Sequence, residues 1–199
     1  MAIARKQSYT LADIYTLPDG QRAELIGDEI YMMSPPSTRH QRLVQYFSLV
    51  IGNYINTNNG KCEVIPSPFS VFIKDENDKE CYVEPDISVI CNADKIDDKG
   101  CHGAPDWVIE IVSPSSRKMD YGRKQALYLS SGVQEYWIVD PLKERVVIYR
   151  QSEDWTPIFV NFGESVKMCI RDRIHCPRLY LQSFLAVFES LLWIYHIFQ

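Results

Sequence analysis

Two acids sit where a core strand should be apolar. Asp86 follows Pro85 and precedes Ile87-Ser88-Val89-Ile90, and Glu110 lies inside Trp107-Val108-Ile109-Glu110-Ile111-Val112. A carboxylate flanked by β-branched residues is costly to bury without a partner. A divalent ion is one such partner, and two acids on neighbouring strands facing one cleft make a hard oxygen site suited to Mg²⁺ or Mn²⁺. The competing reading puts each acid on the solvent face of an alternating strand. It serves well for one acid and less well for the pair, because both have apolar neighbours on either side.

The segment after Glu110 offers more chemistry. Asp120, Lys124 and Tyr128 are spaced i, i+4, i+8 and line one helical face. Alone, Asp120 and Lys124 read as a solvated ion pair worth a few tenths of a kcal/mol, roughly. Directly after the Glu110 strand and a short Ser-Pro loop, that face can lean over the strand end. Lys124 then becomes a cation able to stabilise charge developing on a phosphate. Arg39, Arg42, Arg117, Lys118 and Arg123 gather at two helix starts, which is where phosphates are favoured. Ordinary surface lysine and arginine is the plainer account of them.

The elements that must position these residues follow from pattern. Thr10 caps a short helix to Leu17, ended by Pro18-Asp19-Gly20. Arg22 to Met33 reads as a hairpin turning at Gly27-Asp28. Thr38 and Gln41 match a capping box for a helix whose Leu43, Val44, Phe47, Val50, Ile51, Tyr54 and Ile55 form one apolar face. Strands are expected at Cys62 to Ile65, Phe69 to Ile73, Glu84 to Cys91 and Trp107 to Val112. Lys74 to Glu80 reads as a surface loop. A helix from Arg117 to Ser130 and the strand pair Glu135 to Asp140 and Arg145 to Arg150 complete the series. The order points to an α/β (α+β) architecture, a mixed β-sheet flanked by helices.

Composition bounds the partners. The chain has 199 residues, 46% hydrophobic and 24% charged, which excludes a disordered or collagen-like chain. A formal net charge of −5 argues against a broad basic face, so affinity for nucleic acid would have to be local or built around a metal. None of the six cysteines forms a C-x-x-C pair, which argues against a zinc ribbon. The N-terminus shows no apolar signal core, so the expectation is a cytoplasmic protein with reduced cysteines.

Three segments carry a family resemblance: YTLADIYTLPDGQRAELIGDEIYMMSPPSTRHQRL, EPDISVI, and APDWVIEIVSPSSRKMDYGRKQALYLSSGVQEYWIVDP. Over roughly Tyr9 to Arg150 the chain resembles the Uma-two family of endonucleases, within the restriction-endonuclease-like superfamily and its PD-(D/E)XK signature. The resemblance implies a restriction-endonuclease-like core and metal-dependent hydrolysis of DNA phosphodiesters. It implies Asp86 and Glu110 as metal ligands, with the Ile111 carbonyl a further one. Glu24 is a further acid reaching the same site, against the alternative of a surface ion pair with Arg22 or Arg39. The superfamily lysine would stand at position 112, where this chain has Val112, and Lys124 is implied to take its place. Asp120 and Tyr128 would support it, and His40 would touch the site. Arg39, Arg42, Arg117 and Arg123 are the candidates for contacting DNA. Tyr136 and Asp140 belong to the family's Glu-Tyr-Trp-Ile-Val-Asp-Pro strand, with packing and turn formation the expected roles. The alternative is a nuclease-fold module that binds or assembles without turnover. A homodimer fits two-strand cleavage.

The family pattern stops near Lys167. Residues 1–166 are expected to form the nuclease-like domain and 167–199 an apolar tail. In the tail, Phe184, Leu185, Phe188, Leu191, Leu192 and Tyr195 recur at helical spacing, but Ser183, Glu189 and Ser190 interrupt any membrane span.

Overall fold

The computed structural model describes residues 8–167 and 178–180. The expectations for residues 181–199 lie outside the described residues. Among the described residues, no helix is long and apolar enough to cross a membrane.

The first hairpin forms as its turn residues dictate. β1 (Ala23–Ile26) pairs antiparallel with β2 (Glu29–Met32) through Gly27 and Asp28, both at positive φ (59° and 67°). Two left-handed residues in succession match the right-handed twist of the strands they join. Before it, the short helix α1 (Leu11–Tyr15) opens with the Asp13 carboxylate accepting the Thr10 N–H at 2.8 Å. Helix α2 spans Thr38–Thr57, and its cap is Ser37, whose hydroxyl accepts the His40 N–H at 3.2 Å. The cap therefore lies one residue before the Thr38 expected from the capping-box spacing, because Ser37 keeps the extended backbone that a cap requires.

Two six-stranded mixed sheets follow, rather than one. With β3 (Glu63–Pro66), β4 (Val71–Lys74), β5 (Glu80–Val83), β6 (Ile87–Ile90), β7 (Ile96–Asp97), β8 (Gly100–His102) and β9 (Trp107–Ile111) placed, the first sheet runs β2-β1-β5-β4-β8-β7. The second adds β10 (Glu135–Asp140), β11 (Arg145–Arg150) and β12 (Ile158–Asn161) in the order β12-β11-β10-β9-β6-β3. β9 and β10 run parallel, as do β4 and β8. A short pair, β13 (Ser165–Lys167) with β14 (Arg178–Tyr180), stands apart. The mixed sheet flanked by helices is thus found, with the hairpins around β5 and β8 adding a second sheet.

The second sheet is covered on both faces. Along β9, Trp107, Ile109 and Ile111 pack with Phe47 and Ile51 of α2, while Val108 and Val112 pack with Leu127 and Tyr128 on the other side. Glu110 shares that second face by the two-residue alternation of a strand. β9 therefore has no solvent face, which is why its sequence is apolar on both sides of the acid.

One expectation is corrected here. Cys62 and Cys91 are joined in a disulfide rather than reduced, with Cα atoms 3.9 Å apart. The β3–β6 register pairs Glu63 with Ile90, so the next residues outward face each other across the ladder. Sequence spacing hides this, because the partners are 29 residues apart. Cys81 and Cys101 remain free thiols and are buried. Cysteine redox state therefore no longer supports the cytoplasmic expectation.

Candidate active site

Helix α3 is what brings a cation to the strand acids. The segment expected as one helix from Arg117 is a π-helical turn, Met119–Arg123, continuing into α3 (Lys124–Ser130). Inserted π turns are rare and concentrate at functional sites. Asp120 ends up 1% exposed, Lys124 5% and Tyr128 fully buried, so the solvated ion-pair reading fails. The Tyr136 hydroxyl on β10 donates to the Asp120 carbonyl at 2.9 Å and fastens the π turn to the sheet.

The acids converge on Lys124. Its Nζ lies 2.8 Å from Glu24 Oε1 and 2.9 Å from Glu110 Oε1, with both carboxylates buried. Glu24 is therefore not the surface partner of Arg22 or Arg39. The Tyr128 hydroxyl donates to the same Glu110 oxygen at 2.8 Å. Asp86 stands alongside, its Oδ2 accepting the Ile111 N–H at 2.7 Å and lying 3.0 Å from His40 Nε2. Glu24 Oε1 also accepts the Glu84 N–H at 2.9 Å, which links β1 to the Glu84-Pro85-Asp86 segment. Glu24, His40, Glu84, Asp86, Glu110 and Lys124 line a cleft of about 360 Å³, walled by the 34–37, 67–68 and 113–116 loops.

The electrostatics are those of crowded acids. Burial raises the Glu110 carboxyl well above its usual value, and Asp86, Asp120 and Glu24 push the same way against Lys124. Burial likewise pushes Asp120 up to about 6, although Lys124 and the Ser116 hydroxyl, 2.6 Å away, oppose it. Burial alone would lower Lys124, but Glu110, Glu24 and Asp120 outweigh it and hold the ammonium above its usual range. His40 follows the same logic: burial pulls its pKa down, but the Asp86 hydrogen bond and charge outweigh burial and leave it raised.

Asp120 has a measurable consequence. An acid raised from 3.8 to about 6 on folding binds more protons in the folded chain than in the unfolded one between those values. Stability therefore falls as pH rises through about 4 to 6. Asp120→Asn is expected to flatten that slope and to gain up to about 3 kcal/mol at pH 7 in chelator. Urea unfolding at pH 4.5, 6 and 7.5 reads it; equal slopes in both proteins would refute the assignment.

Four carboxylates, from Glu24, Asp86, Glu110 and Asp120, face one lysine and one histidine, so the cluster carries more negative charge than its cations offset. Among the described residues, no group of three or more His, Cys, Asp or Glu side chains is placed to hold a metal ion. Lys124 instead bridges two of the acids.

The arginines are placed elsewhere. Arg39 donates to the Pro141 carbonyl, Arg117 to Asp140 and Arg123 to Glu29, each at 2.8 Å. None of Arg39, Arg42, Arg117 and Arg123 lines the cleft. Asp140 is fully buried and also accepts the Tyr121 hydroxyl at 2.9 Å, the structural role expected of it. The sequence reading missed Glu84 and Arg22, which do line the cleft. The Glu-Pro-Asp run was the one signal for Glu84, which stands two residues before Asp86.

Comparisons with known proteins bear on the family and the fold. The family model Uma2, described as "Putative restriction endonuclease", matches residues 9–170. A Synechocystis protein, "Uncharacterized protein slr1290", is 25% identical over 149 residues, 74% of this chain and 76% of its own length. A crystal structure described as "a putative nuclease belonging to DUF820", from Anabaena variabilis, superposes with a TM-score of 0.68. It is 19% identical and covers 89% of this chain and 97% of its own, a likeness of fold. With a family match over most of its length and the acids and lysine assembled beneath one cleft, the chain belongs to the Uma2 family of restriction-endonuclease-like proteins.

Proposed function

We propose that this protein is a DNA endonuclease that hydrolyses phosphodiester bonds with Mg²⁺ or Mn²⁺. The observation that carries the proposal is the buried Glu24–Lys124–Glu110 bridge beside Asp86 on the cleft floor. Asp86 and Glu110 would hold the ion, with Glu24 close by. A divalent ion held there would polarise the scissile phosphate and make water a better nucleophile near neutral pH. Lys124 supplies a fixed positive charge, which meets the charge gathering on the phosphate as it is attacked. Tyr128 fixes the Glu110 oxygen that Lys124 contacts, the Asp120 charge favours the ammonium, and His40 fixes the Asp86 carboxylate through Oδ2.

A second reading has its own observation. Lys124 already satisfies Glu110, and Val112 packs in the core where the superfamily lysine would stand. A binding or assembly module with no turnover would show the same bridge. Plasmid cleavage with Mg²⁺ or Mn²⁺, together with isothermal titration of Mn²⁺, separates the two. The nuclease reading expects Mn²⁺ binding that Asp86→Ala removes, and cleavage that both Glu110→Ala and Lys124→Ala abolish. Absence of Mn²⁺ binding and of cleavage by the wild type would favour the module. Cleavage surviving both substitutions would place the chemistry elsewhere.

A further inference from the structure

We infer that Arg22 builds a second phosphate subsite at the mouth of the cleft, one that grips the DNA strand beside the bond to be cut. The inference rests on the nuclease reading above.

Arg22 lines the cleft directly before β1, two residues from Glu24. Residues two apart on a strand share a face and lie about 6.6 Å apart along it. Arg22 thus sits beyond the floor acids on their own side, one repeat toward solvent. Its guanidinium is immobilised by partners from other strands. Nε donates to Glu84 Oε2 at 2.9 Å, and Nη2 donates to the same oxygen and to the Ser67 hydroxyl at 2.9 Å. Glu84 is 7% exposed and is itself held, accepting the Tyr82 hydroxyl at 2.8 Å through Oε1. Ser67 is tied to the site strand by its N–H, which donates to the Asp86 carbonyl at 3.0 Å.

Among the described residues nothing takes the hydrogens of Arg22 Nη1, and the side chain is 38% exposed. A guanidinium locked along one edge and open along the other loses little freedom when it binds an oxyanion. Its forked donors match a phosphate. The requirement for local rather than global basic charge is also met: Arg22 and Lys124 are the arginine and lysine that line the cleft, whereas the arginines at the helix starts are turned to other partners. Lys124 is fixed on the cleft floor by Glu24 and Glu110, which leaves the more exposed Arg22 to reach the neighbouring phosphate.

The test measures binding of a fluorescent DNA duplex by anisotropy across a salt series, in a Glu110→Gln background that does not cut. Arg22 also neutralises Glu84, so Arg22→Gln is combined with Glu84→Gln, and Glu84→Gln alone is the control. Losing one phosphate contact should lower the slope of log affinity against log salt by about one. Affinity near 0.1 M salt should fall about tenfold, as expected for a charge-assisted hydrogen bond. Arg22→Lys, which keeps the charge, should retain the slope and lose part of the affinity. A change of fold alone would move the melting temperature and would not remove one unit of salt slope. An unchanged slope in the double variant, with DNA still bound by the parent, would overturn the subsite and leave the nuclease reading intact. Absence of DNA binding and of cleavage by the wild-type chain would overturn both.

Discussion

Replacing Lys124 by methionine is expected to cost about 3–5 kcal/mol of folding stability in chelator, the scale for leaving buried charge uncompensated. For a chain of this size that lowers the melting temperature by on the order of 10 °C. The substitution leaves Glu24 and Glu110, held 2.8 and 2.9 Å from Nζ in the wild type, side by side with no cation. Methionine fills most of the lysine's volume with a flexible apolar chain, so the loss is of charge rather than of packing. Burial and its neighbouring acids already raise the Glu110 carboxyl, and removing Lys124 raises it further. The destabilisation should therefore shrink as pH falls, since Glu110 protonates and the repulsion ends. A divalent ion supplies the missing charge, so Mn²⁺ should raise the melting temperature of the variant more than that of the wild type. DNA cleavage should be lost in either case. A variant as stable as the wild type in chelator would show that Lys124 does not hold the cluster, and one that still cuts would remove it from the chemistry.

Much of this site was legible because acids in apolar strands are physically anomalous. Glu110 could be singled out from Trp107-Val108-Ile109 and Ile111-Val112 alone, and the two covered faces of β9 explain the anomaly. The face of Asp120, Lys124 and Tyr128 was legible from its spacing, but its burial was not. An ion pair at i, i+4 looks the same in sequence whether its helix faces solvent or a sheet. The π turn was hidden for a related reason, since a single inserted residue leaves the heptad-scale apolar pattern nearly intact.

The first sheet was the hardest part to read. β5 (Glu80–Val83) follows a polar run, and the loop expected from Lys74 to Glu80 takes in its first residue. It becomes a strand because β1 and β4 offer ladders on both sides. That placement then fixes Glu84, and through it Arg22, which sequence spacing alone could not pair across 62 residues. The disulfide between Cys62 and Cys91 escaped for the same reason: it is set by the register of β3 on β6, a tertiary fact.

Glu110→Gln should separate folding from chemistry in a single substitution. Burial raises this carboxyl well above its usual value, so an amide of the same shape removes a charge that is costly to bury. Glutamine keeps an acceptor for the Tyr128 hydroxyl, bonded to the wild-type carboxylate at 2.8 Å, and Lys124 keeps Glu24 at 2.8 Å. Stability in chelator should therefore match the wild type or exceed it by about 1 kcal/mol, a typical gain when a strained functional site is relaxed. Cleavage of DNA should fall by at least about 10²–10³-fold, the scale for removing one preorganised electrostatic contact from a transition state. Mn²⁺ should also stabilise the variant less, because a carboxamide is a poorer ligand for a hard ion than a carboxylate. The opposite signs of the two effects are the discriminating feature. A residue kept for packing would lose stability when altered and leave any remaining activity in proportion to the folded fraction. Thermal unfolding with and without Mn²⁺, beside plasmid cleavage at matched folded concentration, reads both. A variant that loses stability yet cuts at the wild-type rate would make Glu110 a structural acid and move the ion to Asp86 and Glu24.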